Sequence, residues 1–370
     1  MTTSPRPAAP AARRRPSAAV RAAAAGLVVL ALALVAGCGV RLETPSPALP
    51  SPGLDEQVRA RAVADAQQLE AGATSLLAST PADSPVHAVL DDVAAFSGRH
   101  VEELGGTWDP GVEGATPTPT AGAEPAASPA DSAAVLALLV PATEHALADA
   151  DAAGDGPLAR LLAAVATSRA ELARRLATAA GLDVPDVAAV PEPGTSADLA
   201  PAREPGEEDD DGDDASGTPE PSPTATAAGL LEGQLDPLVL AHDQAGYGYE
   251  VLAARWTGAA RERAAAAATR HRGLAQAWAQ VAGVDGTADD PRRVAYTLPV
   301  LDTSKQKRAL ARTLEAAVAD ATSVLVAEAN PGTRAVLLDG LRRATADAAG
   351  WGAAAVAFPG MPELAQDPQG

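Results

Sequence analysis

Residues 238–281 read LVLAHDQAGYGYEVLAARWTGAARERAAAAATRHRGLAQAWAQV, and two rows of spaced apolar positions run through them. Leu238, His242, Ala245, Tyr249, Leu252 and Trp256 recur in steps of three and four. So do Ala264, Ala267, His271, Leu274, Trp278 and Val281, before Gly283 ends the row. That period places one buried stripe along each of two α-helices. Further on, Leu310, Leu314, Ala317, Ala321 and Val324 predict a third helix. A fourth is expected from Asn330 as cap and Pro331 at its first position, followed by Leu337, Leu341, Ala344, Ala348 and Trp351. Two tight turns and one long crossing stretch, Val284 to Leu301, describe a four-helix bundle with a single crossover.

Upstream the pattern repeats. Between Leu54 and Gly181, one helix shows Ala62, Ala66, Leu69, Ala73 and Leu76, and a second shows Leu90, Ala94, Ser97, Val101 and Leu104. The second starts at Ser84-Pro85 and ends at Gly105-Gly106. A third spans roughly Asp131 to Ala153 with Pro141 inside it, which predicts a kink or a late start. A fourth begins near Pro157, carries Leu161, Val165, Ser168, Leu172 and Leu176, and stops at Gly181. With only nine aromatic residues in 370, against strands that normally favour aromatic and β-branched side chains, a β-rich fold is excluded. The expected class is all-α: two four-helix bundles joined by disordered Pro-rich and acidic linkers.

The chain opens on an address. Arg13, Arg14, Arg15 and Arg21 precede the uncharged run Ala22 to Val40, the form of an export signal. Val35-Ala36-Gly37-Cys38 at its end resembles a bacterial lipobox, which implies cleavage after residue 37 and a lipid on Cys38, the only cysteine. Two or more acyl chains anchor stably where one is marginal. The expected location is the extracytoplasmic face of the cell membrane, held by lipid. The first 37 residues carry five arginines and no acid, so the formal charge of the remainder falls from −20 by five, to −25. Such an acidic chain is not a nucleic-acid binder.

Composition also sets the boundaries. The signal occupies 1–37, the lipidated Cys38 and a Pro/Ser stalk 38–53, and the first bundle 54–182, with a Pro-rich insertion at 107–129. A linker over 183–229 includes Glu204 to Asp214, eight carboxylates in eleven positions, whose mutual repulsion predicts an extended segment. The second bundle runs over 230–364, and a tail over 365–370.

Several separated motifs in the second bundle occur in an order that resembles a known family. They are Tyr247-Gly248-Tyr249, His271-Arg272, Tyr296-Thr-Leu-Pro299, Leu314-Glu315, Trp351 and the closing Phe358-Pro-Gly-Met-Pro362. Together they look like the actinobacterial ferritin-like domain of unknown function found in exported and lipid-anchored proteins. The resemblance implies a ferritin-like bundle in an actinobacterial envelope and no established activity. The chain departs from it at His242-Asp243, where a Glu-His pair is expected.

A ferritin-type di-metal site needs two Glu-x-x-His motifs, and the chain has none. His242 and His271 nevertheless lie on the apolar stripes, and with Asp243 and Glu315 they form the candidate metal set, for iron or manganese. The alternative is a buried neutral histidine hydrogen-bonded to Glu315, Asp347 or a tyrosine hydroxyl, with no cofactor. In the first bundle Glu70, Asp91, His100, Glu144 and His145 lack ligand spacing. No nucleophile elbow, phosphate loop or dinucleotide fingerprint is present. The expected role is non-catalytic binding or structure, with an envelope protein or cell-wall material as partner. A metal-binding or redox role stands as the alternative.

Overall fold

Alanine dominates the buried stripes, and a methyl group buries so little surface that helices must approach closely to make a core of it. The computed structural model describes residues 52–107, 129–185, 229–231 and 233–365, and there the chain is helical, with no strand among the described residues. Eight α-helices follow one another: α1 Leu54–Leu77, α2 Pro85–Glu103, α3 Ser132–Ala152, α4 Gly156–Ala180, α5 Asp236–Arg255, α6 Gly258–Val281, α7 Ser304–Glu328 and α8 Ala335–Gly350. A short 3-10 turn, Pro362–Leu364, is the last element among the described residues. The expected signal segment, Cys38, most of the expected stalk, the interior of the 107–129 insertion and nearly all of the acidic linker lie outside the described residues.

Local chemistry explains most boundaries. Ser84 caps α2 by accepting from the Val86 N–H, with Pro85 at the first helical position. Asp131 and Asp155 cap α3 and α4 in the same manner. Thr303 and Gln306 form a reciprocal capping box at the start of α7. α4 ends at Gly181, whose φ of 66° is the left-handed conformation of a helix C-terminus. Pro141 causes no late start, because α3 begins at Ser132 and runs through it.

Two expectations fail for identifiable reasons. Val324 is exposed, and the buried row of α7 passes instead through Leu310, Leu314, Val318, Thr322 and Leu325. A strict row of threes and fours averages 3.5 residues per turn and drifts off a straight helix of 3.6. Nor does Asn330 cap α8. Residues 330–334 form a turn through Gly332 at φ 77°, and the helix begins at Ala335. That turn is pinned from outside, since the Gly332 N–H donates to Asp151 O at 2.8 Å.

The helices pair as two blocks. In the first, α1 packs on α2 and α3, and α4 packs on α3 and α2, closing a square. In the second, α5 packs on α6 and α7, and α7 on α8, but α6 and α8 stand apart along one edge. The residues Pro52–Gly370 make one compact unit. α4 is the reason, because it packs on α7 and α8 as well as on its own block. Fourteen of its residues are buried, mostly Ala, Ser and Thr, so it has no solvent face over much of its length. The main core accordingly mixes Val58, Leu104 and Leu162 with Leu238, Leu325 and Leu341. The core and the helix caps lie wholly within Pro52–Gly370.

Polar stitches cross the same boundary. Arg334, 1 % exposed, donates to Ala150 O, Asp151 O and Ala153 O at the end of α3 and to Ala329 O beyond α7, satisfying carbonyls that helix ends leave open. The segment 353–365 straps back onto the first block. There His100 Nε2 meets Ala357 O at 2.8 Å, Phe358 packs edge-on to the His100 ring, and Arg99 donates to Leu364 O. Among the described residues one helix, α3, is long and apolar enough to cross a membrane. It is packed within the first block, and its buried Asp149 pairs with Arg61 of α1.

Candidate functional site

The edge where α6 and α8 stand apart borders the interior of the second block, and each of its four helices sends a polar side chain there. α5 supplies His242 and Tyr249, α6 Arg270 and His271, α7 Glu315, and α8 Asp347. His242 Nδ1 and His271 Nδ1 face each other at 2.9 Å. The far nitrogen of His271, Nε2, lies 3.3 Å from Glu315 Oε1, which also accepts from the Tyr249 hydroxyl at 2.6 Å. Arg270 Nη2 is 3.8 Å from that oxygen and donates to Asp347 Oδ2 at 2.6 Å, bridging α6 to α8. The Tyr249 and His271 rings stack at 5.5 Å and 9°.

Protons in this network follow from its partners. An imidazole nitrogen beside a carboxylate carries the hydrogen, so His271 donates from Nε2 to Glu315 and its Nδ1 accepts. His242 then donates from Nδ1, leaving its own Nε2 as an acceptor. Burial, followed by the neighbouring His271 and Arg270, holds His242 well below the usual histidine range, so it is neutral. Burial and the adjacent Glu315 raise the Asp347 carboxyl, and burial beside Glu315 raises the Tyr249 hydroxyl, which stays a donor. Glu315 is 1 % exposed, and its second oxygen, Oε2, has no hydrogen-bond partner.

The structure thus brings His242, His271 and Glu315 together and directs Asp243 elsewhere. Adjacent helical residues do not face the same way. Asp243 accepts from Arg272, from the Tyr296 hydroxyl at 2.6 Å and from the Arg293 N–H at 3.0 Å, tying the crossover to α5. Among the described residues no group of three or more His, Cys, Asp or Glu is set for a metal ion. The paired Nδ1 atoms remain two donors at a separation that a shared ion with bonds of about 2.1 Å would accept at roughly 90°. In the first block His145 pairs with Asp65 at the surface, and His100 serves the strap. Arg270 was not marked by the sequence pattern, since arginine is common throughout this chain and its helical row carries no periodic signal.

Two hollows adjoin the network. One, of about 40 Å³, lies between α6 and α8 among His242, His271, Glu315, Leu274 and Asp347, room for a water or a small ion. The other is a cleft of about 530 Å³ under the strap, between α7 and α8, walled by Ala316, Ala319, Ala348 and Ala349 with Phe358 and Met361 above. Glu315 lines both.

This C-terminal region matches a known family model. Residues 238–363 carry a domain described as a domain of unknown function (DUF4439). The match covers α5 to α8 and the strap, the part of the chain that holds the histidine pair and the cleft. No curated protein matches the chain. No solved structure does either.

Proposed function

We propose that the protein is an exported lipoprotein, anchored through Cys38 to the outer face of the cell membrane, whose helical body binds a small ligand without transforming it. The lipobox-like Val35-Ala36-Gly37-Cys38 supports the anchor. The ferritin-like order of helices and the motifs of the second block support an actinobacterial envelope setting. The observation that carries the binding role is the cleft under the strap. Its volume falls in the range of small-ligand sites and its walls are largely apolar. Binding is tested by the thermal stability of Pro52–Gly370 against a panel of small apolar and amphiphilic compounds. A raised midpoint that Ala316→Phe removes supports the reading, and a flat response across the panel refutes it. The anchor is tested by metabolic labelling with a fatty acid, which Cys38→Ser should abolish.

A second reading rests on the facing Nδ1 atoms of His242 and His271, with Glu315 behind His271 as a ligating imidazole's carboxylate partner would stand. In it the small hollow holds iron or manganese, and the body serves metal storage or redox chemistry. Elemental analysis after loading decides it: stoichiometric metal lost in His271→Ala supports the ion, and none after exposure to either metal removes it.

A further inference from the structure

Aromatic residues are scarce in this chain, nine in 370, yet three of them stand in one row from the surface of the second block to its buried polar network. Trp256, the first residue beyond α5, is half-buried. Its ring stacks on that of Trp351, at the end of α8, with centroids 4.9 Å apart and planes within 2°. Trp351 is 6 % exposed, and its ring lies 6.1 Å from that of Tyr249, which is fully buried. The row ends on a hydrogen bond, since the Tyr249 hydroxyl donates to Glu315 Oε1 at 2.6 Å. Leucine fills most other large positions of the core, so burial alone does not call for three oxidisable rings in contact.

The charges beside the row change from one end to the other. Lys307 Nζ lies 5.8 Å from the Trp256 ring and Arg263 Cζ 5.0 Å from the Trp351 ring. Both cations are held there by carbonyls at helix ends, Arg255 O and Gly350 O. A cation over a ring is attracted to the ring's electrons, so removing one of them costs more. At Tyr249 the neighbour is instead a carboxylate, placed to take the hydroxyl proton that an oxidised phenol releases. An electron vacancy is thus least stable under the two cations and most stable at Tyr249, and it runs inward.

We infer that Trp256, Trp351 and Tyr249 form a one-electron relay that carries an oxidising equivalent from the surface to the buried network. A one-electron oxidant at the surface, an organic peroxyl radical for instance, takes an electron from Trp256 and leaves as its anion, which water protonates. Trp351 then gives one electron to Trp256, and Tyr249 one to Trp351. The Tyr249 hydroxyl proton passes to Glu315, leaving a neutral tyrosyl radical beside a neutral carboxyl group. One electron has left the protein and the proton has stayed in it. The relay goes beyond both readings above, because neither a ligand in the cleft nor an ion takes part in it.

The test uses the full chain in detergent. A ruthenium polypyridine photosensitiser with a sacrificial electron acceptor is the oxidant in solution, and freeze-quenched samples are read by electron paramagnetic resonance. Tyr247 and Tyr296 are the only other tyrosines, so a Tyr247→Phe, Tyr296→Phe background assigns any tyrosyl signal to Tyr249. That protein should give a tyrosyl radical although Tyr249 itself is shielded from the oxidant. Trp351→Phe and Trp256→Phe in the same background should each lose the signal, since phenylalanine fills the space without being oxidised. Glu315→Gln leaves both indoles in place and still accepts from the hydroxyl, but an amide is too weak a base to take the proton. There the tyrosyl signal should give way to an indolyl one. Absence of a tyrosyl radical in the background protein, or a tyrosyl yield unchanged in any of the three further variants, overturns the relay.

Discussion

His100 makes the acid stability of this protein calculable. Its ring is fully buried between α2 and the strap, where burial, then Arg169 and Arg99, push it from about 6.5 down to about 3, opposed by its bond to Ala357 O. The neutral ring is therefore the native form, and the unfolded chain takes up the proton first. Because the unfolded state binds more protons, stability rises with pH between the two values and falls as pH drops below about 6.5. Almost all of the stabilising difference is present at about pH 7.5. At about pH 5 the unfolded ring is largely protonated and the folded one is not, which costs about 2 kcal/mol. Urea unfolding followed by circular dichroism at these two pH values measures the change. His100→Gln, which can still donate to Ala357 O, should begin less stable and lose about 2 kcal/mol less on acidification. Other titrating groups act equally in both proteins and cancel in the comparison. Identical acid losses in the two proteins would refute the reasoning.

Three further outcomes follow from the junction between the blocks. A Cβ at Gly360, where φ is 74°, would lie 2.6 Å from Ser323 Cβ and 2.9 Å from Ala319 O. Gly360→Ala should therefore cost about 2 kcal/mol or more, and its effect should be non-additive with His100→Gln, because both loosen the strap. Arg334→Met leaves the carbonyls of Ala150, Ala153 and Ala329 without donors and should cost about 3 kcal/mol, with hydrogen exchange accelerated first at the end of α3. A Cβ at Gly156 would fall 2.1 Å from Ala327 O, so Gly156→Ala must push α4 off α7, at about 1–3 kcal/mol in chemical denaturation. An unchanged midpoint in any of these variants contradicts the contact on which it rests.

The sequence pattern revealed helices better than their mutual arrangement, and the reason lies in alanine. Leu238, Tyr249, Leu252 and Trp278 stand out against polar neighbours, so the stripes of α5 and α6 could be read directly, and all four are buried. In α4 the decisive residues are Ala159, Ala163, Ala164, Ala166 and Ala173. Alanine is common on both faces of helices in this chain, so nothing marked α4 as the helix shared by both blocks. The start of α8 was misplaced because Asn330-Pro331 has the chemistry of a cap, while Gly332 and the outside contact of its N–H decide the turn.

At the site the polar residues on apolar stripes carried the signal. His242 and His271 do meet, and Glu315 does stand beside His271. Asp243 stands in the His242-Asp243 pair that replaces the expected Glu-His, yet one step along a helix turns a side chain away, and its partners lie on α6 and the crossover. The cleft was invisible for a different reason, since it is made by side chains that are not there. A missing methylene leaves no mark in a pattern of apolar positions.

The continuous core has a consequence for the acidic segment between residues 185 and 229. The residues that flank it, at 185 and 229, belong to one body, so it joins two points of that body. Doubling the length of a flexible connection costs only about 0.6 kcal/mol of closure entropy. Natural variants should tolerate insertions and deletions there, and a protease that cuts within it should leave a two-piece molecule that stays associated and melts as one.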